Sequence, residues 1–250
     1  MAGVPTGGAR NKSLVHVVTQ LDRVDGNWVI HDKNNELTQL NKSDISYIRG
    51  LYDAGFYHTD RQVGSFFDYL KKQHMYKKSI IIVTSSHGEV LVERQVPKGR
   101  YIGHGNPYME VVHVSFIIKF PGVGHRVIDK QVQTFDLFPT ILDYTDIDQN
   151  STLKQRIQGK SLMPLIDGKS DRKYFDYHAY SMEPLTVITP HWGYTRRYHL
   201  PDPKQLFNLT ADPLEKHNVA QKNPEVAKRL EKKLLRWRFD NWALGNRIYR

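Results

Sequence analysis

The sequence contains no cysteine. Disulfide bonds and cysteine-ligated zinc sites are therefore excluded. A cysteine nucleophile is excluded as well, and with it a formylglycine made from cysteine. The 250 residues must perform any function with other side chains.

Long apolar runs are also missing. No stretch approaches the roughly 18–20 apolar residues that a membrane-spanning helix needs, and the opening residues MAGVPTGGARNKS lack the apolar core of a signal peptide. We expect these opening residues to form a flexible tail. No phosphate-binding loop of the GxxxxGK type occurs, and the sequence assigns no compartment.

Positive charge is the main compositional feature that is present. The formal net charge is +10 and the pI is about 9.6. Such a balance favours anionic partners, namely acidic glycans, phosphorylated or sulfated molecules, nucleic acid or a membrane surface. The alternative is an ordinary soluble basic protein. Hydrophobic residues make up 39% of the chain, which is enough for a packed core.

The apolar pattern predicts strands and one long helix in the first part of the chain. Ser13–Leu21 and Ser79–Thr84 are apolar and β-branched, so both are predicted strands, the second buried on both faces. Asp22–Leu40 is predicted as a loop. A long helix with Ser43 as its N-cap follows, and Lys71, Lys72, Lys77 and Lys78 suit its C-terminal end. The order strand, helix, strand predicts a parallel sheet and an α/β fold.

Further elements follow this helix and strand. Glu89–Gly105 is predicted as a polar loop and Val111–Phe120 as a strand. Phe135–Tyr144 is predicted as a short helix and Gln158–Asp167 as a compact turn. The character of the sequence changes near Gly168–Arg172. We therefore predict two domains, with residues 1–170 forming an α/β core and residues 171–250 a C-terminal subdomain.

The C-terminal subdomain is predicted to combine antiparallel strands with one helix. The strands are predicted from alternating apolar and polar residues over Tyr174–Ser181, Thr186–Tyr198 and Gln205–Leu209. Pro224–Trp242 is an amphipathic, basic helix. Such a helix could contact nucleic acid or a membrane, but we expect it to dock on the subdomain with its charged face in water, which makes nucleic acid an improbable partner.

Two histidine-containing loops are the candidates for chemistry. Val83–Glu89, VTSSHGE, places His87 at the end of a predicted strand, where α/β sheets bind ligands. The alternative is a helix cap by a serine, with the histidine incidental. His104 lies between two glycines in YIGHGNPYME, so a ligand can approach the backbone closely. The alternative there is an ordinary glycine-rich turn. Nothing in the spacing places Asp60, Glu89 or Glu110 beside them.

Six segments, in order, resemble the sulfatase family of the alkaline phosphatase superfamily. They span nearly the whole chain and match the C-terminal half of that fold. The segments are LYDAGFYHTDRQVGSFFDYLKK, IIIVTSSHGE, GHGNPYMEVVHVSFIIKFPG, TFDLFPTILD, IQGKSLMPLIDG and QLFNLTADPLEKHNVA. The resemblance implies an α/β sandwich core followed by a small antiparallel sheet with a helix, and hydrolysis of a sulfate ester or, as a second choice, a phosphate ester.

The resemblance also implies roles for individual residues. His87 matches a metal ligand, and Ser86 falls where the family has a metal-binding aspartate. His104 matches the lysine or histidine that contacts the substrate sulfate. The family's divalent metal, calcium or magnesium, is doubtful here because a serine hydroxyl does not supply an anionic oxygen. The family's paired aspartates and formylglycine nucleophile belong to a half of the fold outside these residues, so no catalytic residue is assigned.

Three hypotheses follow from this pattern. The first is a partial or degenerate sulfuric ester hydrolase, a pseudoenzyme on its own, that a partner chain holding the first half could complete. The alternative is a non-catalytic module that binds an anionic small molecule or a sulfated or phosphorylated glycan. An active phosphoesterase with an unusual site is the third, which the missing nucleophile disfavours. Few helices cover the predicted strands, so we expect an exposed apolar face.

Overall fold

The computed structural model describes residues 21–24, 27–31, 37–94, 102–104, 107–147, 157, 159–169, 177–179, 185–197 and 204–248. They group into two compact units, one within residues 1–106 and 113–123 and the other within 107–112 and 124–250. The opening tail and most of the predicted strand Ser13–Leu21 lie outside the described residues. The domain boundary near residue 170 stays a prediction.

The first unit contains a three-stranded antiparallel sheet where the sequence predicted a loop. Its strands are β1 (Leu21–Val24), β2 (Asn27–His31) and β3 (Leu37–Leu40), in the order β1-β2-β3. The glycine and paired asparagines that suggested a loop come between these short strands in the sequence. The prediction of a loop over Asp22–Leu40 was therefore wrong.

Helix α1 spans Lys42–Lys72. Its N-cap is Asn41 and not Ser43, because Asn41 has an extended backbone and its side chain accepts hydrogen bonds from the backbone N–H groups of Ser43 and Asp44 at 2.7 and 3.0 Å. The Asp44 carboxylate accepts a hydrogen bond from the Asn41 backbone N–H at 2.9 Å, which completes a capping box. Lys71 and Lys72 occupy the last turn, as predicted, where positive charge complements the helix dipole.

Large aromatic side chains on α1 remain exposed. Phe56 and Tyr57 are 64% and 65% exposed, although α1 buries Ile48 and Leu70. The other exposed aromatics of this helix are Tyr52, Phe66 and Tyr69. An apolar surface of this kind is typical of an interaction face.

The predicted strand Ser79–Thr84 forms β4 over Ile81–Thr84. It pairs with β7, Phe116–Lys119, and the pairing is antiparallel, from Ile81 opposite Lys119 to Thr84 opposite Phe116. This pairing does not test the predicted parallel arrangement of Ser13–Leu21 with this strand, because most of that first segment lies outside the described residues. The prediction that the strand is buried on both faces was wrong, because Ile81–Val83 are only half-buried and Thr84 is exposed.

Within the polar loop predicted over Glu89–Gly105, of which residues 95–101 lie outside the described residues, two short strands pair as a small hairpin. Strand β5 (Val90–Leu91) pairs antiparallel with β6 (Ile102–Gly103). Val90 is fully buried and fixes the base of the hairpin. Both strands belong to the first unit.

The second unit is built on a four-stranded antiparallel sheet, as predicted for the C-terminal region. Its strands run in the order β11-β10-β9-β8, with bounds Lys204–Asn208, Trp192–Arg196, Leu185–Ile188 and Tyr177–Ala179. Helix α5, Pro224–Ile248, packs Leu230 and Leu234 against this sheet. The predicted amphipathic helix is confirmed and is longer than expected.

The described part of the second unit also contains three shorter α-helices. They are α2 (Met109–Val112), α3 (Leu137–Tyr144) and α4 (Met163–Ile166). Helix α2 occupies the start of the strand predicted over Val111–Phe120, which shortens that strand to β7. Among the residues the structure describes, no helix is long and apolar enough to cross a membrane.

Candidate functional site

The loop that follows β4 carries the first pair of predicted site residues. Ser86 and His87 come two and three residues after Thr84, the last residue of β4, and both side chains are exposed. The short strand ends at the sheet edge, so the polar residues after it face water. The structure thus places both predicted metal ligands on one exposed loop.

The register of the β5–β6 hairpin brings His104 to this loop. Val90 pairs with Gly103, so the next positions outward, Glu89 and His104, lie opposite each other across the antiparallel ladder. Gly103 has a φ of +142°, a conformation that favours glycine over residues with a Cβ. This glycine lets the chain leave β6 with His104 beside the loop after β4.

His87 and His104 are stacked. Their ring centroids are 3.8 Å apart and the ring planes differ by 23°. Nδ1 of His104 lies 3.4 Å from Oε2 of Glu89, whose side chain is 22% exposed against 56% for His104. One ligand atom from each of the three side chains lies within 4.8 Å of the other two. We call these three residues the His–Glu–His cluster.

One histidine tautomer follows from the hydrogen bonding. Nδ1 of His87 lies 2.8 Å from the Gly88 carbonyl oxygen. A carbonyl oxygen only accepts, so Nδ1 carries the hydrogen and Nε2 keeps its lone pair in the neutral ring. Nε2 of His87 is therefore the atom available to a metal or ligand.

Arg49 on α1 connects the β5–β6 hairpin to the helix through hydrogen bonds. Its guanidinium donates to the Leu91 carbonyl oxygen from Nε and Nη2 at 3.2 and 3.1 Å, and it lies 3.4 Å from Glu93. Val92, between these acceptors, has a φ of +76° and is buried. A β-branched residue is strained in that conformation, so the contacts around it help to hold the hairpin in place.

The other polar residues singled out from the sequence are not part of the cluster. Asp60 lies on the exposed surface of α1, and Glu110 lies on α2 in the second unit. Glu89 is the residue that spacing alone did not place. Glu89 comes near His104 because the strand after Glu89 pairs with the two residues before His104. A strand of only two residues leaves too short a sequence pattern to predict this pairing.

The cluster does not fit a hard cation. Calcium and magnesium prefer six or more oxygen ligands, most of them carboxylates, carbonyls or water. The cluster offers two imidazole nitrogens and one carboxylate, with the neutral hydroxyl of Ser86 next in the chain to His87. This donor set is closer to what borderline transition metals accept.

Family comparison agrees with the fold and with the position of these loops. The sulfatase family model matches residues 11–147, which contain the whole His–Glu–His cluster. A second model, the C-terminal region of N-sulphoglucosamine sulphohydrolase, matches residues 104–240. An α/β fold with these two matches defines a sulfatase-type protein, and the chain belongs to the sulfatase family.

Curated relatives support this assignment. The chain is 30% identical over 209 residues to Arylsulfatase K of Gallus gallus and 30% over 214 residues to that of Homo sapiens, covering 78% of this chain in both cases. It is also 30% identical over 196 residues to Choline-sulfatase of Rhizobium meliloti. The matches cover 36–38% of the length of these relatives.

Solved structures share the fold at lower identity. Ps i-CgsB matches with a TM-score of 0.62 and 21% identity, over 80% of this chain and 47% of that one. A protein solved with its substrate, D-glucosamine-2-N,6-O-disulfate, matches with a TM-score of 0.54 and 22% identity, over 74% of this chain and 38% of the other. These likenesses confirm the α/β sulfatase fold.

Proposed function

We propose that this chain binds the sulfate group of an anionic ester at His87 and His104, as the ligand-binding part of a sulfatase-type site. The observation that carries the proposal is the stacking of the two imidazoles 3.8 Å apart, on two loops within the sulfatase match. Imidazole N–H groups donate to anionic oxygens. A phosphate ester presents similar oxygens and is the second ligand class.

Charge and hydrogen bonding support an anionic ligand. The net charge of +10 attracts anions over a distance set by the salt concentration. Nδ1 of His87 is engaged with Gly88, and Nδ1 of His104 lies close to Glu89. Nε2 is therefore the atom that each ring has left for a ligand oxygen, and it donates to that oxygen in the protonated ring, where both nitrogens carry hydrogen.

The names of similar proteins support a sulfated ligand over other anions. Two are arylsulfatases and one is a choline-sulfatase. The protein solved with D-glucosamine-2-N,6-O-disulfate shares the fold. We extend to this chain the feature these ligands have in common, a sulfate group, without choosing the alcohol or amine that carries it.

We also propose that these 250 residues do not cleave the ester on their own. They contain no cysteine from which a formylglycine could form, and Ser86 stands where the family has an aspartate. Cleavage then requires the first half of the fold, from the same polypeptide or a partner chain. The exposed aromatic residues of α1, such as Phe56 and Tyr57, offer a surface for it. The alternative is a binding module that never hydrolyses its ligand.

Calorimetric titration with D-glucosamine-2-N,6-O-disulfate tests the binding proposal. His104→Ala and His87→Ala should each weaken binding about tenfold, which corresponds to about 1.4 kcal/mol. His191→Ala is the matched control, because His191 is an exposed histidine of the second unit that contacts Thr210 at 3.2 Å. Equal affinity in all four proteins contradicts the proposed site.

A hydrolysis assay with an aryl sulfate tests the second part of the proposal. The chain alone should release no product above background, because an attacking group is lacking. Adding the first half of a sulfatase fold as a separate chain distinguishes the two remaining hypotheses. Product formed only in the mixture favours a partial enzyme, whereas none in either sample favours a binding module. Turnover by the chain alone that disappears in His87→Ala contradicts the proposal.

A further inference from the structure

The donor set of the His–Glu–His cluster, His87, Glu89 and His104, differs from that of a calcium or magnesium site. It supplies two imidazole nitrogens and one carboxylate oxygen from a loop and a hairpin. Two histidines with one glutamate are a set that zinc accepts at sites where a fourth position stays open. From this composition we infer that the cluster binds zinc or a similar transition metal ion in place of a hard cation.

The separation of two donors fits this ion. Ligands placed about 2.0–2.1 Å from a tetrahedral zinc ion lie about 3.3–3.4 Å from each other. Nδ1 of His104 and Oε2 of Glu89 are 3.4 Å apart. These two atoms stand at the spacing of neighbouring zinc ligands, and a zinc ion bound to both would replace their direct contact and leave Nε2 of His104 free.

The hydrogen bond of His87 supplies independent support. Metal-binding histidines usually donate their other ring nitrogen to a carbonyl or carboxylate, which fixes the tautomer. Nδ1 of His87 does this with the Gly88 carbonyl oxygen at 2.8 Å. Nε2 is left with a lone pair that is oriented by the loop.

Metal binding requires a small rearrangement. The two rings are stacked, with planes differing by 23°, and do not yet converge on one point. Donor atoms up to 4.8 Å apart must move closer by rotation of a ring. Both histidines are exposed, so their side chains are free of the close packing that would oppose such a rotation.

A zinc ion would also change what the cluster attracts. With neutral imidazoles, Glu89 gives the cluster one negative charge, and a divalent ion converts this to one positive charge. The fourth position of the ion then becomes a contact for a sulfate or phosphate oxygen. To this extent the inference rests on the proposed function, because both use the same two histidines.

Cobalt(II) titration of the full chain, followed by zinc displacement, tests the inference. Tetrahedral cobalt should give intense visible absorption that zinc removes, and calorimetry should show zinc bound more tightly than calcium or magnesium. Glu89→Gln keeps the shape of the side chain and should weaken zinc binding at least about tenfold, because loss of even an outer-shell partner of a metal site costs that much. His87→Ala and His104→Ala should have the same effect. Thermal unfolding of each variant verifies that it is folded.

His217→Ala is the matched control. His217 lies 3.5 Å from Asp212 and is 80% exposed, so it is a histidine–carboxylate pair outside the cluster. Zinc affinity should stay unchanged in this variant. Zinc bound no more tightly than calcium, or equally well by the cluster variants and by the unmodified chain, overturns the inference.

The two proposals can fail separately. Sulfated ligand that binds equally with and without a chelator, in a chain that takes up no zinc, leaves the proposed function standing and removes this inference. If the cluster binds zinc but the chain has no affinity for the sulfated ligand, this inference stands and the proposed function is wrong. Sulfated ligand that binds only with zinc present supports both.

Discussion

The histidine loops of the first unit and the sheet with α5 in the second unit differ in how far their key side chains are buried. In the second unit, Val187, Tyr194, Leu206 and Leu234 are fully buried. In the first unit, His87 and His104 are exposed. The buried sheet supplies stability, whereas the exposed loops are free to contact a ligand.

The closing segment shared with the sulfatases belongs to the stabilising region. Glu215 is 3% exposed and accepts a hydrogen bond from the Met109 backbone N–H at 2.7 Å. Asn218 accepts from the backbone of Leu206 and Ala220, both at 3.0 Å. Family resemblance in this segment therefore reflects the fold, and it says nothing about catalysis.

The largest effect on the second unit is expected from Gly159→Ala. A Cβ at Gly159 would meet the Phe135 carbonyl group, and it would lie 2.9 Å from the Asp136 backbone nitrogen. Backbone atoms cannot swing aside as a side-chain end can, so we expect about 4 kcal/mol or more of destabilisation. Chemical denaturation measures it. Gly124→Ala is the control, because no atom lies within 4 Å of its Cβ position.

That clash would disturb a defined set of hydrogen bonds. The carboxylate of Asp136 accepts from the backbone of Gln133 and Lys160 at 3.0 and 2.8 Å, and Thr140 accepts from the Leu162 backbone at 2.9 Å. Asp136 and Thr140 are buried, so lost partners would leave unsatisfied polar groups. If Gly159→Ala unfolds at the same denaturant concentration as the unmodified chain, the close packing of this loop is not what holds the unit together.

A smaller effect is expected from Leu234→Ala. Leu234 is fully buried under the sheet, so its truncation should cost about 3 kcal/mol through lost burial and the cavity that remains. Leu235→Ala changes the next residue, which is 45% exposed, and should stay within about 0.5 kcal/mol. Chemical denaturation of the two variants measures how much the buried and the exposed face of α5 differ in their contribution to stability. Equal losses would mean that the described face of α5 is not the buried one.

The regular, buried elements of the second unit were easier to predict from the sequence than the short strands of the first unit. Amphipathic spacing was enough for α5, since Leu230 and Leu234 recur at helical intervals and both are buried. The helix start at Asn41 was missed by two residues because asparagine and serine cap equally well. Strands β1 to β3 are four or five residues long, too short to stand out from a polar loop.

The candidate site was predicted in part. The two loops with His87 and His104 were singled out from their sequence, and the structure brings both rings together. Glu89 entered only through strand pairing, which joins residues 15 positions apart. Pairing between distant short segments depends on tertiary packing, and local propensity does not encode it.

The smallest effect concerns Asp212 and acid stability. Partial burial disfavours its charged form, but hydrogen bonds from the backbone N–H groups of His217 and Lys216, at 2.8 and 3.1 Å, outweigh this and lower its pKa. A lowered folded-state pKa stabilises the fold above the ordinary aspartate pKa of about 3.9. That contribution is lost as the pH falls through the folded-state value.

Asp212→Asn tests this contribution because it keeps the shape of the side chain and removes its titration. Thermal unfolding between pH 2 and pH 7 should show a shallower loss of stability on the acid side for this variant, with a small drop at neutral pH. Asp240→Asn, on the exposed part of α5 with its side chain 64% exposed, controls for the loss of one surface charge. If stability falls with pH in the same way in Asp212→Asn and in the unmodified chain, the turn before α5 keeps its shape without the carboxylate charge. The buried Glu215 and the side chain of Asn218 would then be sufficient to hold this segment.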